Sequence, residues 1–384
     1  MNFNKYKISE VGSVITGKTP PTKNEEYFSV EKDKYLFITP RDMNINSKYI
    51  SETERYLTDS VTGKFSSLII DNKSICASCI GTVGKVFIPK QLSITNQQIN
   101  SITNLKDFCN FDYLYYYLKQ NYKKIQSVAG GTTMPIVNKS SFEGIEIELP
   151  SLSDQLKIVK ILNKIDEKIE LNNEINNNLY EMGDNLYNEY FGKYKDNLPS
   201  DYNIVKLNEV ADNFDSKRKP MSSREREQHR GIYPYYGATS IIDYVDDYIF
   251  DDTYLLMGED GTVKTDDGYP VLQYIWGKNW INNHAHVLKG KNISTELLMF
   301  ALRKINIENI ITGAVQPKIN QENMNKIEFV IGPDSKNKEL EVILKNLMDK
   351  SKNVIEENRR LEQLRDTLLP KLMNGEIDLD NIEI

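Results

Sequence analysis

The sequence predicts an α+β fold in which two similar mixed α/β domains alternate with two long helices, as an internal pseudo-two-fold repeat. Three observations predict it: a length of 384 residues, a duplicated helix–loop–strand block, and two stretches with hydrophobic residues seven apart. A chain of this length usually exceeds one hydrophobic core. The predicted domains are residues 1–150 and 193–333, the predicted long helices are 151–192 and 334–375, and residues 376–384 form a C-terminal tail.

The duplicated block closes each predicted domain. Residues 113–150 and 296–333 both run from an apolar helix through a glycine-containing loop and a proline to an alternating strand. Segments 1–75 and 205–255 match poorly, so we expect a repeated scaffold with divergent surfaces. The matched residues are Gly131 and Gly313, Pro135 and Pro317, Asn138 and Asn320, with Gly81-Thr-Val-Gly84 resembling Gly261-Thr-Val-Lys264 further upstream.

The heptad stretches predict two long amphipathic helices. A seven-residue repeat of this length needs a partner helix. We predict that the two helices pair with each other as an antiparallel coiled coil, and pairing with another subunit is the alternative. Asn172 and Asn358 on the seams either fix the register when buried or are solvated at the edge. The predicted seam and subunit-docking residues are Ile158, Ile165, Asn172, Leu179 and Leu186 in the first helix, and Leu340, Leu347, Val354, Leu361 and Leu368 in the second.

Composition limits the classes of protein. The net charge is −7, to which segments 151–192 (4 basic, 8 acidic residues) and 334–384 (9 and 12) contribute −4 and −3. Residues 1–150 carry +3 (18 and 15) and residues 193–333 carry −3 (17 and 20), so local patches rather than the total decide an affinity for nucleic acid. No apolar run approaches the roughly 18 residues of a membrane span. Three cysteines form no disulfide framework, which favours a cytoplasmic location.

Three small clusters could hold a metal or a redox centre, but each has a plainer interpretation. Cys76 and Cys79 lie on a predicted strand from residue 68 to 80, where positions three apart face opposite sides. The stretch Gly258-Glu-Asp-Gly261 is better explained as a turn than as a metal-binding carboxylate pair. His284 and His286 share a face of a predicted strand without an evident third ligand, so a packed or hydrogen-bonding pair is favoured over zinc.

The groups expected of a nuclease, a methyltransferase or a motor are missing from the sequence. It contains no Glu-x-Lys triplet for metal-dependent cleavage and no Asp/Asn-Pro-Pro-aromatic methylation motif. It also contains no G-x-x-x-x-G-K-[ST] phosphate-binding loop. We therefore expect no catalytic residues and no metal in this chain.

Polar loops that combine basic, amide and hydroxyl groups are the candidate contacts to DNA. Lys and Arg pair with phosphates, and Arg, Asn and Gln can bond base edges. An ordinary solvated turn is the alternative for each loop. The candidates are Lys18, Thr19, Lys23, Arg41, Thr132 and Thr133 in the first domain, and Lys217, Arg218, Lys219, Arg224, Arg226, Thr239, Ser240 and Gln316 in the second.

Several motifs occur in an order that is more specific than any one of them. They are Gly81-Thr-Val-Gly-Lys85, Thr95-Asn-Gln97, the helix entry Pro150-Ser-Leu-Ser-Asp-Gln155, and the terminal Leu361–Gly375 segment. Over essentially the full chain, this order resembles the specificity subunit of type I restriction–modification enzymes. The second helix entry, after Pro333, lacks the glutamine, so we expect Gln155 to act only in helix capping.

The resemblance implies two target recognition domains, each recognising one half of a split, asymmetric DNA site. The long helices would set the distance between the domains and dock two methylation subunits, which motor–nuclease subunits join. The chain would be non-catalytic and without a cofactor, while S-adenosylmethionine, ATP and Mg²⁺ are expected in the partner subunits. No membrane is expected as a partner. The alternative is a non-catalytic adaptor that recruits a protein partner through its paired helices.

Overall fold

The computed structural model describes residues 1–43, 48–131, 134–313 and 316–378. The chain divides into two compact units, and each contains one mixed α/β domain with part of each long helix. The first unit consists of Met1–Leu171 and Asn358–Ile384, and the second consists of Asn172–Glu357. None of the helices in the described ranges has the length and apolar character required to cross a membrane.

The first unit is built on short strands that form three sheets. The strands are β1 (Asn4–Lys7), β2 (Ser13–Thr16), β3 (Phe28–Ser29), β4 (Tyr35–Ile38), β5 (Tyr49–Ile50), β6 (Tyr56–Leu57), β7 (Ile75–Ser78), β8 (Val86–Pro89), β9 (Ser93–Thr95), β10 (Ile99–Thr103) and β11 (Glu146–Leu149). The helices are α1 (Ile8–Val11), α2 (Val61–Lys64), α3 (Phe111–Gln120), α4 (Tyr122–Ser127), α5 (Lys139–Glu143) and the long α6 (Leu152–Tyr190). The three sheets have the strand orders β2-β10-β7-β8-β5, β3-β6-β4-β9 and β1-β11. The pairs β4–β9 and β5–β8 are parallel, so the sheets that contain them are mixed.

The second unit repeats this plan, again with three sheets. Its strands are β12 (Asn203–Lys206), β13 (Ala211–Asn213), β14 (Arg230–Tyr236), β15 (Ile241–Val245), β16 (Phe250–Asp251), β17 (Tyr254–Gly258), β18 (Leu272–Ile275), β19 (Lys278–Ile281), β20 (Ala285–Gly290) and β21 (Glu328–Ile331). Its helices are α7 (Leu207–Val210), α8 (Ser223–Gln228), α9 (Thr295–Leu302), α10 (Gln321–Met324) and the long α11 (Asp334–Met373). The three sheets have the strand orders β13-β20-β17-β18, β15-β14-β19-β16 and β12-β21. The parallel pair β14–β19 matches β4–β9 of the first unit.

The repeat reaches further towards the start of each domain than the sequence predicted. Both domains begin with a strand, a four-residue helix and a second strand, in which Lys7-Ile-Ser-Glu10-Val corresponds to Lys206-Leu-Asn-Glu209-Val. In both copies the glutamate carboxylate accepts a hydrogen bond from the backbone N–H of the lysine, at 2.6 and 2.9 Å. The expectation that these segments match poorly was wrong here, because so short a helix shows no 3.6-residue periodicity.

The cysteine-containing strand is shorter than predicted. Only Ile75–Ser78 is strand, because the preceding Asp71 accepts a hydrogen bond from the N–H of Lys73 and closes a turn. Cys76 and Cys79 lie in different hydrophobic clusters, as expected for opposite faces of the sheet. Burial raises the pKa of the Cys76 thiol to about 12 and that of Cys79 to about 11, so both remain protonated.

The two long helices pair within the chain and run antiparallel. In the second unit, Asn172 Nδ2 donates to Glu357 Oε2 at 2.8 Å, and Tyr190 Oη donates to Glu339 Oε1 at 2.7 Å. Residues later in α6 therefore contact residues earlier in α11, which is the antiparallel arrangement. In the first unit, the cluster that contains Ile158 and Leu162 of α6 also contains Leu369, Leu372 and Met373 of α11.

Most of the predicted seam residues are buried. Asn172 is 1% exposed, which agrees with a buried polar residue on the seam rather than a solvated one. Leu361 and Leu368 are only partly buried, as are Leu186 and Leu347. Helix α11 includes Pro370 in its last turn and ends just before Gly375, whose φ of 72° is left-handed, close to the predicted end. The other buried seam residues are Ile158, Ile165, Leu179, Leu340 and Val354.

Candidate nucleic-acid interface

Loops from distant parts of the first domain meet at one edge of its central sheet. The loop after β2 reaches the turn before β10, where Thr19 Oγ1 donates to Gln97 Oε1 at 2.8 Å. In the same turn the carbonyl of Gln98 accepts from the N–H of Cys79 at 2.7 Å, which adds the segment after β7. Three segments that are far apart in sequence thus present their polar groups side by side.

The glycine-containing loop of the duplicated block joins this edge. The N–H of Gly81 donates to the carbonyl of Pro135 at 3.2 Å. Gly131 has a φ of 96°, and a Cβ there would lie 2.5 Å from the carbonyl oxygen of Met134. Only glycine fits that conformation without strain. Met134 and Ile136 are exposed on this loop, at 54% and 44%.

The second domain builds the same edge with different side chains. In this domain the N–H of Gly261 donates to the carbonyl of Pro317 at 3.0 Å, and Gly313 has a φ of 88°. At the places of Met134 and Ile136, the second loop carries the exposed polar residues Gln316 and Lys318. The backbone of the edge is therefore repeated, while the chemistry of its surface is not. That is the arrangement expected of two domains that recognise different sequences.

Of the first-domain candidates, Thr19 lies at this edge with Lys18 beside it, and Arg41 follows a strand that ends there. Lys18 and Lys23 are exposed and make no ion pair with any residue of the described ranges. Arg41 follows β4, whose last residue Ile38 accepts from the N–H of Asn96 in the turn before β10. The Arg41 side chain is 85% exposed and 3.9 Å from Glu54. Thr132 and Thr133 lie outside the described residues.

Most of the second-domain candidates are exposed as well. Lys217, Lys219 and Arg224 are exposed and have no ion pair within the part of the chain that the structure describes. Thr239 and Ser240 are exposed in the turn after β14, whose last residue Tyr236 lies next to the turn before β20. This position corresponds to that of Arg41 in the first domain.

Two predicted DNA contacts are structural instead, and the interpretation of Arg218 as a surface cation was wrong. Its side chain is 11% exposed, and Nη1 donates to Glu259 Oε2 and to the carbonyl of Ala285, both at 2.6 Å. The side chain of Arg226 is 15% exposed and pairs with Asp243 at 3.2 Å. A guanidinium with these partners holds loops in place and is not available to a phosphate.

Asp215, Glu259 and His286 bring their ligand atoms within 4.8 Å of one another, so His286 has two carboxylate neighbours that were not evident from the sequence. No local pattern in the sequence indicates this cluster, because the three residues come from separate segments. Arg218 and Lys318, which is 3.3 Å from Glu259, already supply positive charge to the carboxylates. The arrangement is therefore an ion-pair cluster rather than a metal cradle.

The hydrogen-bonding partners of Asp215 fix its charge. Although burial raises its pKa, hydrogen bonds from His286, Gln321 and the N–H of Val287 outweigh that effect and lower the pKa to about 2. His284 does not share the strand face with His286, because it lies in the turn before β20 and pairs with Asp260 at 2.5 Å. The cluster thus contains one of the two histidines.

Gln155 does more than cap its helix, contrary to the prediction. It is fully buried: its Oε1 accepts from the N–H of Asn110, and its Nε2 donates to the carbonyls of Phe108 and Pro150. It therefore ties the start of α6 to the loop before α3. In the second copy, the buried Asn337 accepts from the N–H of Gly332, only five residues earlier in the chain. This hydrogen bond lies within the helix entry itself, so the two helix entries differ.

Comparison with known proteins agrees with this geometry. The family model described as the type I restriction modification DNA specificity domain matches residues 1–181 and 199–365. The MjaIX specificity subunit of a type I restriction enzyme from Methanocaldococcus jannaschii is 25% identical over 98% of this chain and 94% of its own length. The HindI specificity subunit from Haemophilus influenzae is 39% identical over 41% of this chain and 35% of its own length.

The fold is also similar to a solved structure. The S subunit of a type I restriction–modification system from M. genitalium superposes with a TM-score of 0.55, covering 97% of this chain and 96% of that one at 19% identity. These matches confirm the resemblance, the repeated two-domain fold with paired helices and the non-catalytic role, and they do not favour the adaptor alternative. The chain belongs to the family of DNA specificity subunits of type I restriction–modification enzymes.

Proposed function

We propose that the edge of each domain recognises one half of a bipartite, asymmetric DNA site. The observation that carries the proposal is the repeated edge: the same turns and glycine loop occur in both domains, while the exposed side chains differ. A duplicated reader with different surface chemistry recognises two different sequences. We take residues 1–150 and 193–333 as the two recognition domains.

The exposed cations of the edges supply phosphate contacts, and the polar groups between them contact bases. In the first domain these residues are Lys18, Thr19, Lys23 and Arg41. In the second domain they are Lys217, Lys219, Arg224, Thr239, Ser240 and Gln316.

The paired helices space the two domains and dock two methylation subunits, with motor–nuclease subunits added to that core. Support comes from the exposed apolar residues on the helices, which include Leu156, Leu171, Met182 and Val342 at 51% to 62% exposure. S-adenosylmethionine, ATP and Mg²⁺ belong to those partners. Because its target is DNA that the cell methylates, we place the chain in the cytoplasm.

The deciding experiment is to sequence methylated DNA from a host that expresses the methylation subunit with and without this chain. We expect one split motif with a fixed spacer, present only when the chain is present. Methylation that is independent of the chain, or a motif without a gap, would contradict the proposal.

A domain exchange tests the division of labour. Replacing residues 1–150 with the matching segment of the M. jannaschii relative should change one half of the motif and leave the other as it was. A change in both halves would show that recognition is not divided between the domains. The reciprocal exchange of residues 193–333 is the matched control.

Charge removal tests the edge itself. Changing Lys217, Lys219 and Arg224 together to glutamine should weaken DNA binding by the assembled complex. It should also flatten the dependence of log affinity on log salt by about 0.9 for each phosphate that the variant no longer neutralises. Lys338→Gln removes an exposed charge from helix α11 and serves as the control. An unchanged salt dependence in the triple variant would remove these residues from the interface.

A further inference from the structure

Three apolar residues adjoin one another at the glycine-containing loop of the first domain, and we call them the apolar triad. Ile80 and Ile136 are partners in an antiparallel bridge, and Met134 lies two residues before Ile136. Met134 and Ile136 are exposed, while Ile80 is half-buried. Apolar residues that are exposed singly need no ligand, whereas adjoining ones within a polar rim mark a binding surface.

Hydrogen bonds hold the backbone that carries the bridge. Gly130 and Ile136 exchange two backbone hydrogen bonds, both 2.9 Å long. The next residue, Val137, donates its N–H to the carbonyl of Cys79 at 2.8 Å, which ties this segment to the one after β7. Ile80 and Ile136 are therefore positioned before a ligand arrives, and covering them costs little conformational entropy.

The second domain builds the same bridge from polar residues. Asp260 and Lys318 are the bridge partners there, and Thr312 exchanges two backbone hydrogen bonds with Lys318, both 2.8 Å long. Gln316 lies two residues before Lys318, at the place of Met134. Because the backbone hydrogen bonds match, the change from an apolar to a polar surface is a difference in side chains.

The apolar triad lies next to candidate DNA contacts of the first domain. Cys79, directly before Ile80, donates its N–H to the carbonyl of Gln98 at 2.7 Å. Thr19 hydrogen-bonds to the same turn, and the exposed Lys18 precedes it. A ligand that covers the triad therefore also meets a cation and hydrogen-bonding groups, which is the combination that suits a phosphate backbone with bases beside it.

Double-stranded DNA offers one group that matches an apolar surface. Base edges in the major groove present hydrogen-bond donors and acceptors, and thymine adds its C5-methyl group. The aliphatic and thioether side chains of the triad cannot hydrogen-bond a base edge, but they can cover a methyl group. Gln316 of the second domain has the opposite chemistry, since its amide can bond N6 and N7 of adenine. The two loops thus suit different bases.

We propose that Met134 and Ile136 are specificity-determining residues of the first domain, which cover the C5-methyl group of a thymine in the major groove. The corresponding residues of the second domain make no such contact. The inference rests on the proposed function of the two edges. It adds the base, and the group on that base, which this loop recognises.

The test uses the full chain assembled with its methylation subunits, and DNA duplexes that carry the split motif found by sequencing methylated DNA. Each thymine of the first half-site, on either strand, is replaced singly by uracil, which removes the C5-methyl group and keeps the base pair. For the unaltered chain we expect uracil at one of these positions to weaken binding by about fourfold, the value of one buried methyl group.

A double variant and a matched control identify the side chains responsible. Met134→Gln combined with Ile136→Lys installs the residues of the second loop, whose backbone hydrogen bonds are the same. This variant should bind the thymine and uracil duplexes equally, because the methyl group then has no apolar cover. Val30→Gln removes a more exposed apolar side chain from another loop of the same domain, and should keep the fourfold difference.

The outcomes separate this inference from the proposed function. If no split motif is found, the proposed function itself fails. If the motif is bound but no uracil in the first half-site weakens binding, or if the double variant keeps the fourfold difference, the thymine contact is overturned. Loss of the methylation subunits from the double variant would assign the apolar triad to a protein partner and would also overturn it. Continued recognition of the second half-site shows that each variant is folded and assembled.

Discussion

Replacing Arg365 with methionine should destabilise the first unit by about 3 kcal/mol, because it leaves a buried carboxylate without its cation. Arg365 Nη1 lies 3.0 Å from Asp166 Oδ1, and the two side chains are 7% and 8% exposed. This ion pair joins α11 to α6 inside the unit. Removing one partner of such a pair costs about 3–5 kcal/mol.

Two neighbours place the expected loss at the lower end of that range. Tyr116 still donates to Asp166 Oδ2 at 2.5 Å, so the carboxylate keeps one strong hydrogen bond. Burial and the positive charge of Arg365 both lower the pKa of Lys119, while Asp166 raises it. Without Arg365, Lys119 is charged more readily and partly compensates Asp166.

The measurement is urea unfolding followed by far-ultraviolet circular dichroism at neutral pH. Asp166→Leu combined with Arg365→Met should recover at least half of the loss, because a buried pair can be replaced by apolar residues. Tyr116 then retains Asn163 Oδ1, 3.0 Å away, as an acceptor. Lys139→Met, which breaks an exposed pair, should change the free energy of unfolding by less than about 0.5 kcal/mol. A loss below about 1 kcal/mol for Arg365→Met, or a double variant as unstable as the single one, would refute the reasoning.

Three further predictions concern the two edges and the helices. Gly131→Ala and Gly313→Ala should each degrade one half of the methylated motif, because a Cβ would lie 2.5 or 2.3 Å from a carbonyl oxygen; loss of both halves in either variant would contradict this. The pKa of Asp215, about 2, lies below its ordinary value of 3.8, so its contribution to stability is present above pH 4 and is lost as pH falls towards 2. We therefore expect the midpoint pH of acid unfolding to shift in Asp215→Asn. The measurement is tryptophan fluorescence, since both tryptophans lie in the second unit. Inserting one heptad after Leu171 and a matched heptad after Glu357 should lengthen the spacer of the motif by about three base pairs, because seven residues add about 10 Å to a helix. An unchanged spacer would show that the helices do not set the distance between the two half-sites.

Long-range periodicity made the helices predictable from sequence. A heptad pattern over about forty residues determines which face of a helix is apolar. Because the chain contains two such stretches, each helix could be assigned the other as its partner. The glycine loops were equally predictable from sequence, because the left-handed backbone at Gly131 and Gly313 requires glycine, and both glycines are visible in the aligned repeats. The short strands were not, since two to seven residues show too few alternations to establish a period.

Burial of charged residues was the part of the interface that the sequence could not predict. Arg218 stands between two lysines and has the local pattern of a surface cation. Its partners Glu259 and Ala285 lie on segments that only the folded sheet brings to it.

The antiparallel course of the long helices has a consequence for the order in which the chain folds during synthesis. The second unit is one continuous segment, Asn172–Glu357, and can close as soon as it has left the ribosome. The first unit is begun earlier but completed later, because its core needs Leu369, Leu372 and Met373 from the far end of α11. Until those residues emerge, the apolar face of α6 around Ile158 has no covering helix and is open to aggregation or to a chaperone. The domain that is synthesised first is therefore the last to become stable.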